Sequence, residues 1–278
     1  MLNRLSLSLM HNVDFIEQGE GKTVILLHST AAGNKQWRKL IDTLSPKFRV
    51  VAPNLYGYGN TTAWSDTKTQ TLADQAALID QFVHNQNDIT IIGHSFGGSV
   101  AMMAALRHRD RVKRLILIEP NPFYLLAEYS QSAGYKEATN LRNVIKQNGK
   151  IGSWEIAAEY FADYWNGEGS WHAMDELRQT KFVAALKPNY HEWDCVMNEN
   201  TSINTWEAKL PKNTSLLFSE NTVTSILELQ ALFQSNIPQW QYHKYVEGGH
   251  MAPLTHPHII NPLIEEILTS VPEKGNTR

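Results

Sequence analysis

Ser95 lies in the run IIGHSFGGSV, residues 91–100, where a β-branched stretch stops at Gly93 and a helix-forming stretch begins after the serine. Gly93 to Gly97 read G-H-S-F-G, a G-x-S-x-G corner between a strand and a helix. Small neighbours let the chain turn sharply and hold the central residue, strained, in the open. That places Ser95 for nucleophilic attack. The N–H of Phe96, the next residue, opens the helix and points to where an oxyanion would form. A serine hydroxyl alone is a poor nucleophile at neutral pH. It needs a base to take its proton and a carboxylate to hold that base.

Of the 11 histidines, His250 is the candidate base. It sits in E-G-G-H-M-A-P, just past the last expected strand, where a glycine loop lets it swing over the sheet edge. His94 neighbours the serine, but its side chain leaves the corner in another direction. His28 closes a strand and reads as structural. His172 and His191 could at most touch substrate, and His256 and His258 flank Pro257 as surface residues. The run HEWDC, 191–195, holds ligand-type residues without zinc-site spacing, so neither a metal nor a cofactor is expected.

The positioning elements are legible in the pattern. Strands are expected at 13–17, 23–28, 48–52, 89–92, 112–119, 214–219 and 240–246, with an edge strand on the alternating Leu5, Leu7 and Leu9. Helices are expected at 35–44, 95–108, 225–234 and 257–268. Leu72, Ala76, Ile79 and Val83 form one more helical stripe, with Thr71 as N-cap and Asp74 three residues on. Strands alternating with helices predict an α/β fold whose mostly parallel central sheet is flanked by helices. The alternation lapses between Pro120 and Pro211, and 14 of the 27 aromatic residues fall there. Residues 121–210 therefore read as a mainly helical insertion over one sheet edge, with 1–120 and 211–278 forming the core.

Composition narrows the partners. Charged residues make up 19% of the chain and the net charge is −3, so no basic field exists to hold a phosphate backbone; nucleic acid is not an expected partner. No apolar run reaches the ~18–20 residues of a membrane helix. The start has no signal-like apolar core, and the single Cys195 precludes an internal disulfide. A cytoplasmic protein acting on a small molecule is the expectation; oligomeric state is not legible.

Four motifs in order, LLHSTAAG, NLYGYGNT, GHSFGG and GGHMAP, make the chain resemble the α/β-hydrolase superfamily over nearly its full length. The first is similar to the family's His-Gly-x strand end, and by that match Thr30 supplies the second oxyanion N–H. The resemblance also implies a cap domain. Three departures stand out. Ser29 replaces a usual glycine, expected to tighten the entrance, and Asn54 replaces a usual aspartate in a structural turn. Thr222 stands where the family usually places its acid. Two acids could substitute. Glu220 is in the same loop; Glu119 ends the strand after the nucleophile's helix, where some family members carry their acid. Glu119 is favoured because it caps an apolar run, and a histidinium nearby would compensate its charge.

Relatives that open epoxides or remove halide attack with aspartate. A serine nucleophile points instead to acyl transfer to water, on an ester, thioester, lactone or similar carbonyl. Carbon–carbon bond hydrolysis and cofactor-free perhydrolysis could use the same Ser95, His250 and Glu119. A small-molecule receptor with little or no turnover is the non-enzymatic alternative.

Overall fold

The computed structural model describes residues 12–84, 86–129 and 132–270. The alternating leucines near the start lie outside the described residues. Seven strands form one sheet: β1 (Phe15–Gln18), β2 (Thr23–Leu27), β3 (Arg49–Pro53), β4 (Ile89–His94), β5 (Val112–Ile118), β6 (Thr214–Ser219) and β7 (Gln241–Tyr245). Their order is β1-β3-β2-β4-β5-β6-β7, with β1 antiparallel to β3 and every other pair parallel.

The period of two explains how the sheet is covered on both faces. In β2, Ile25 and Leu27 join one core cluster while Val24 and Leu26 join the other. The second cluster is closed by α1 (Arg38–Leu44) and α12 (Pro257–Thr269), through Leu40, Ile41, Ile260, Ile264 and Ile267. On the first face lie α2 (Leu72–Ala77), α3 (Asp80–Val83) and α4 (Phe96–Arg107). α4 is buried from Phe96 through Ala105, as a helix between a sheet and further helices must be.

Two helices differ from expectation. The helix expected from residue 35 begins as a 3₁₀ turn, Asn34–Trp37, before α1. The stripe from Leu72 to Val83 is broken, because Leu78 and Ile79 bond three residues back, to Gln75 and Ala76, and tighten the chain. Its start is as expected: Thr71 Oγ1 accepts from the Asp74 N–H at 3.1 Å and Asp74 Oδ2 accepts from the Thr71 N–H at 3.0 Å.

Between β5 and β6 the described residues contain helices and no strand: a 3₁₀ segment (Phe123–Tyr129), α5 (Ala133–Ile151), α6 (Trp154–Asn166), α7 (Glu176–Leu186), α8 (Asn189–Asn198) and α9 (Ile203–Lys209). Phe161, Trp165, Trp171, Trp193 and Trp206 from this segment are buried. α10 (Thr224–Asn236) and the short α11 (Ala252–Thr255) complete the chain. Among the described residues no helix is long and apolar enough to cross a membrane.

The Asn54 turn shows how a departure is compensated. Asn54 Oδ1 accepts from the Asn34 N–H at 2.8 Å, and its Nδ2 donates to Asp14 Oδ2 at 2.9 Å. Asp14 thus carries the charge that Asn54 lacks. Restoring aspartate by Asn54→Asp would set two carboxylates against each other. We expect a loss of about 1–3 kcal/mol at pH 7, shrinking toward pH 3 as the pair takes up a proton. Urea unfolding at the two pH values measures it; equal or greater stability at pH 7 would show that Asp14 does not fill that role.

Candidate active site

Ser95 joins β4 to α4 with φ +55°, a conformation that L residues rarely adopt. Holding it costs of order 1–3 kcal/mol, so the surroundings must enforce it. They do so by close packing. A Cβ on Gly97 would lie 2.3 Å from the Leu27 carbonyl oxygen and 2.4 Å from that of His28. One on Gly93 would lie 2.3 Å from the Gly97 oxygen. The glycines therefore let the start of α4 close onto the end of β2 at Leu27 and His28, from which the Ser29–Ala31 loop runs on. The Ser95 N–H donates to the Ile118 carbonyl at 2.9 Å, tying the corner to β5.

His250 lies in the 3₁₀ turn Gly249–Met251 that follows β7. Its Nε2 is 2.9 Å from Ser95 Oγ and its Nδ1 is 2.7 Å from Glu119 Oε2. With a carboxylate at Nδ1, the proton of the neutral ring belongs there, which leaves Nε2 free to accept from the serine. Glu119 directly follows β5 and is buried, with φ +42°. Its remaining acceptor sites are filled. Oε1 accepts from the Ser219 N–H at 2.8 Å and the Tyr245 hydroxyl at 3.0 Å; Oε2 also accepts from Thr222 Oγ1 at 2.9 Å. The residue at the usual acid position is thus a hydroxyl that orients an acid brought from another strand. Glu220 is not in this group; it pairs with Lys244 at the surface.

Phe96 and Thr30, expected to offer oxyanion N–H groups, are both buried. Neither of their backbone N–H groups donates a hydrogen bond among the described residues. Ser29, expected to tighten the entrance, is buried and does not line the groove beside Trp165. Its hydroxyl and its N–H both donate to Gln36 Oε1, at 2.9 and 3.0 Å, which turns the side chain toward the helix side.

His94 leaves the corner as expected, and its destination is informative. Its Nε2 donates to the His250 carbonyl at 2.8 Å, and its Nδ1 accepts from Gln36 Nε2 at 3.1 Å. Burial and the neighbouring His250 hold the His94 pKa well below the ordinary histidine value, so the ring stays neutral and keeps both bonds. Ser29, Gln36, His94 and the His250 backbone therefore form one hydrogen-bonded strap beneath the site. His28 is structural: its Nε2 accepts from the Leu55 N–H at 3.0 Å, and burial lowers its pKa to about 4. His191 pairs with Asp66, and His172 with Glu159.

Trp165 of α6 was not singled out by sequence. Its ring stacks on His250 with centroids 4.0 Å apart and planes at 21°. A cation forming on His250 during turnover would meet the face of that ring. Trp165 also lines a groove of about 370 Å³ with Thr30, Phe161, Met174, Phe182 and Met251; exposed Arg178 lines it too. Ser95 and His250 are each 4% exposed and do not themselves line the groove; Trp165, stacked on His250, and Met251, next to it in sequence, do.

Comparisons with known proteins agree with this architecture. The family model described as alpha/beta hydrolase fold matches residues 22–257. A 2-hydroxymuconate semialdehyde hydrolase of Pseudomonas putida is 23% identical over 96% of this chain and 94% of its own. A probable 1-acylglycerol-3-phosphate O-acyltransferase of Oryza sativa is 31% identical over 44% of this chain; the match spans only 30% of that protein. A thermophilic esterase of Thermogutta terrifontis superposes with a TM-score of 0.71 at 22% identity, over 92% of both chains. An esterase of Exiguobacterium antarcticum gives 0.72 at 18%, over 92% of this chain and 96% of its own.

Proposed function

The chain belongs to the α/β-hydrolase fold family and is an enzyme of that type, and on that premise we propose that it hydrolyses a small, largely apolar ester, thioester or lactone through an acyl-serine. Ser95 Oγ attacks the carbonyl carbon while His250 Nε2 takes its proton. Glu119 holds the imidazole by Nδ1 and balances the imidazolium. The oxyanion is met by the Phe96 and Thr30 N–H groups. His250 then protonates the leaving alcohol or thiol, and water deprotonated by His250 releases the acid. Residues 121–210 act as the cap, with Phe161, Trp165 and Phe182 shaping an apolar approach. The observation that carries this reading is the continuous relay from Ser95 through His250 to a buried, fully hydrogen-bonded Glu119. A location inside the cell is part of the same reading, supported by the lone, buried Cys195.

Hydrolysis of a carbon–carbon bond is the second reading, favoured by the near full-length match to the Pseudomonas putida hydrolase. A panel of nitrophenyl esters beside a vinylogous diketone separates the two. We expect short to medium apolar acyl esters to be turned over in preference to anionic or sugar esters. Turnover of the diketone with ester hydrolysis near background would favour the second reading. A clear preference for anionic esters would contradict the apolar approach, and tight binding without turnover would point to a receptor.

A further inference from the structure

Two acids are buried among the described residues, Glu119 and Glu192. The relay explains the first. The second lies on α8, inside the HEWDC run that lacks zinc-site spacing, and has three donors around it. Glu192 Oε2 accepts from Thr30 Oγ1 at 2.6 Å and from Asn189 Nδ2 at 2.9 Å. Glu192 Oε1 accepts from the Tyr58 hydroxyl at 2.7 Å. Tyr58 in turn accepts from the Ala31 N–H at 3.1 Å. The Asn189 amide is set by Trp193, whose indole N–H donates to its Oδ1 at 2.8 Å.

A buried carboxylate is a costly way to dock one helix on a core, and an apolar contact of the same size serves stability as well. What the carboxylate adds is direction. It grips the side chain of Thr30 and, through Tyr58, the backbone of Ala31. Ala31 is itself a non-glycine residue at φ +60°, a conformation that the surroundings must enforce. These two residues follow β2 in the loop that offers the Thr30 N–H.

Building on the acyl-serine reading, we propose that Glu192 is a positioning residue for the reaction: from the cap it fixes the Thr30–Ala31 loop so that the Thr30 N–H is aimed at the oxyanion before substrate arrives. Closure of α8 on the core and completion of the oxyanion hole are then one event. Burial pushes the Glu192 carboxyl pKa up, and the Thr30, Asn189 and Tyr58 donors oppose that.

The test compares wild type with Glu192→Gln and Thr30→Val. The first keeps shape but presents an NH₂ to a shell of donors. The second keeps the backbone N–H and loses only the hydroxyl, so it serves if the first folds poorly. Active sites are counted by fluorophosphonate titration, so misfolded protein drops out. Losing one oxyanion donor outright costs about 10²–10³ in turnover; misaiming one should lower kcat per titrated site about 10- to 100-fold for Glu192→Gln and severalfold for Thr30→Val. KM should move less than about threefold. Affinity for a trifluoromethyl ketone, whose hemiketal oxyanion occupies the hole, should fall in step with kcat/KM.

A purely structural role would lower the melting temperature while kcat per titrated site and ketone affinity stay at wild-type values; that result overturns the proposal. So does a rise in kcat, which would mean that the carboxylate's charge opposes the oxyanion. A wild type that neither hydrolyses esters nor takes up the phosphonate overturns the acyl-serine reading itself, and this proposal with it.

Discussion

Ser95→Ala is expected to leave a folded protein that hydrolyses esters roughly 10⁵–10⁶-fold more slowly than wild type and takes up no fluorophosphonate. The nucleophile and its base act as a unit, so losing one removes nearly the whole of their joint contribution. The fold should tolerate the change. The Ser95 hydroxyl is bonded to His250, while the corner itself is held by the Ser95 N–H on Ile118 and by the close approach at Gly93 and Gly97. Alanine pays the same backbone penalty at φ +55° as serine does. Intact-mass measurement after exposure to the phosphonate reads the result directly. Wild type should gain one adduct and Ser95→Ala none. Equal labelling of the two would place the reactive group elsewhere, and loss of circular dichroism in the variant would show that the corner depends on the hydroxyl.

Much of this site was legible in the sequence because its key signals are local. A strand ending in G-x-S-x-G describes its own corner, and a glycine loop after the last strand describes where His250 must swing. The sheet was legible for the same reason: short apolar runs such as β2, TVILL, recur between helical stretches, and all five of its residues are buried. Glu119 was within reach as an acid ending a greasy strand, although Glu220 stayed open beside it. What decides between them is contact across the chain. Thr222 is 103 residues from Glu119 and Tyr245 is 126, and no periodicity connects either to it. Trp165 escaped notice, and Glu192 was passed over within HEWDC as lacking zinc-site spacing, because an aromatic or an acid on a helix of this segment reads the same whether it faces water or a buried partner. The break at Leu78 and Ile79 was hidden because the apolar stripe runs straight through it.

The geometry around Glu119 makes the second large effect specific. Every group that approaches the carboxylate is a donor: the Ser219 N–H, the Thr222 and Tyr245 hydroxyls and His250 Nδ1–H. Glu119→Gln keeps the size but replaces one acceptor oxygen with an NH₂ inside that shell. One consequence is an imidazolium without a counter-charge. Another is that the NH₂ can face His250 and draw its ring into the Nε2–H tautomer, which cannot accept from Ser95. Loss of the equivalent charge in a serine-protease triad costs about 10⁴ in turnover, and we expect roughly 10²–10⁴ here. A crowded donor should cost about 1–3 kcal/mol of stability, which lowers the melting temperature without unfolding the protein at room temperature. Glu220→Gln is the control. That side chain is 64% exposed in an ion pair with Lys244, and pairs of this kind contribute about 0–1 kcal/mol, so its turnover should change by less than about tenfold. Measuring kcat per titrated site for both variants, with circular dichroism alongside, separates the cases. A crippled Glu220→Gln beside a normal Glu119→Gln would return the acid to the later strand. If neither variant slows, Ser95 and His250 work as a dyad, and the hydrogen bonds around Glu119 serve only to brace the turn.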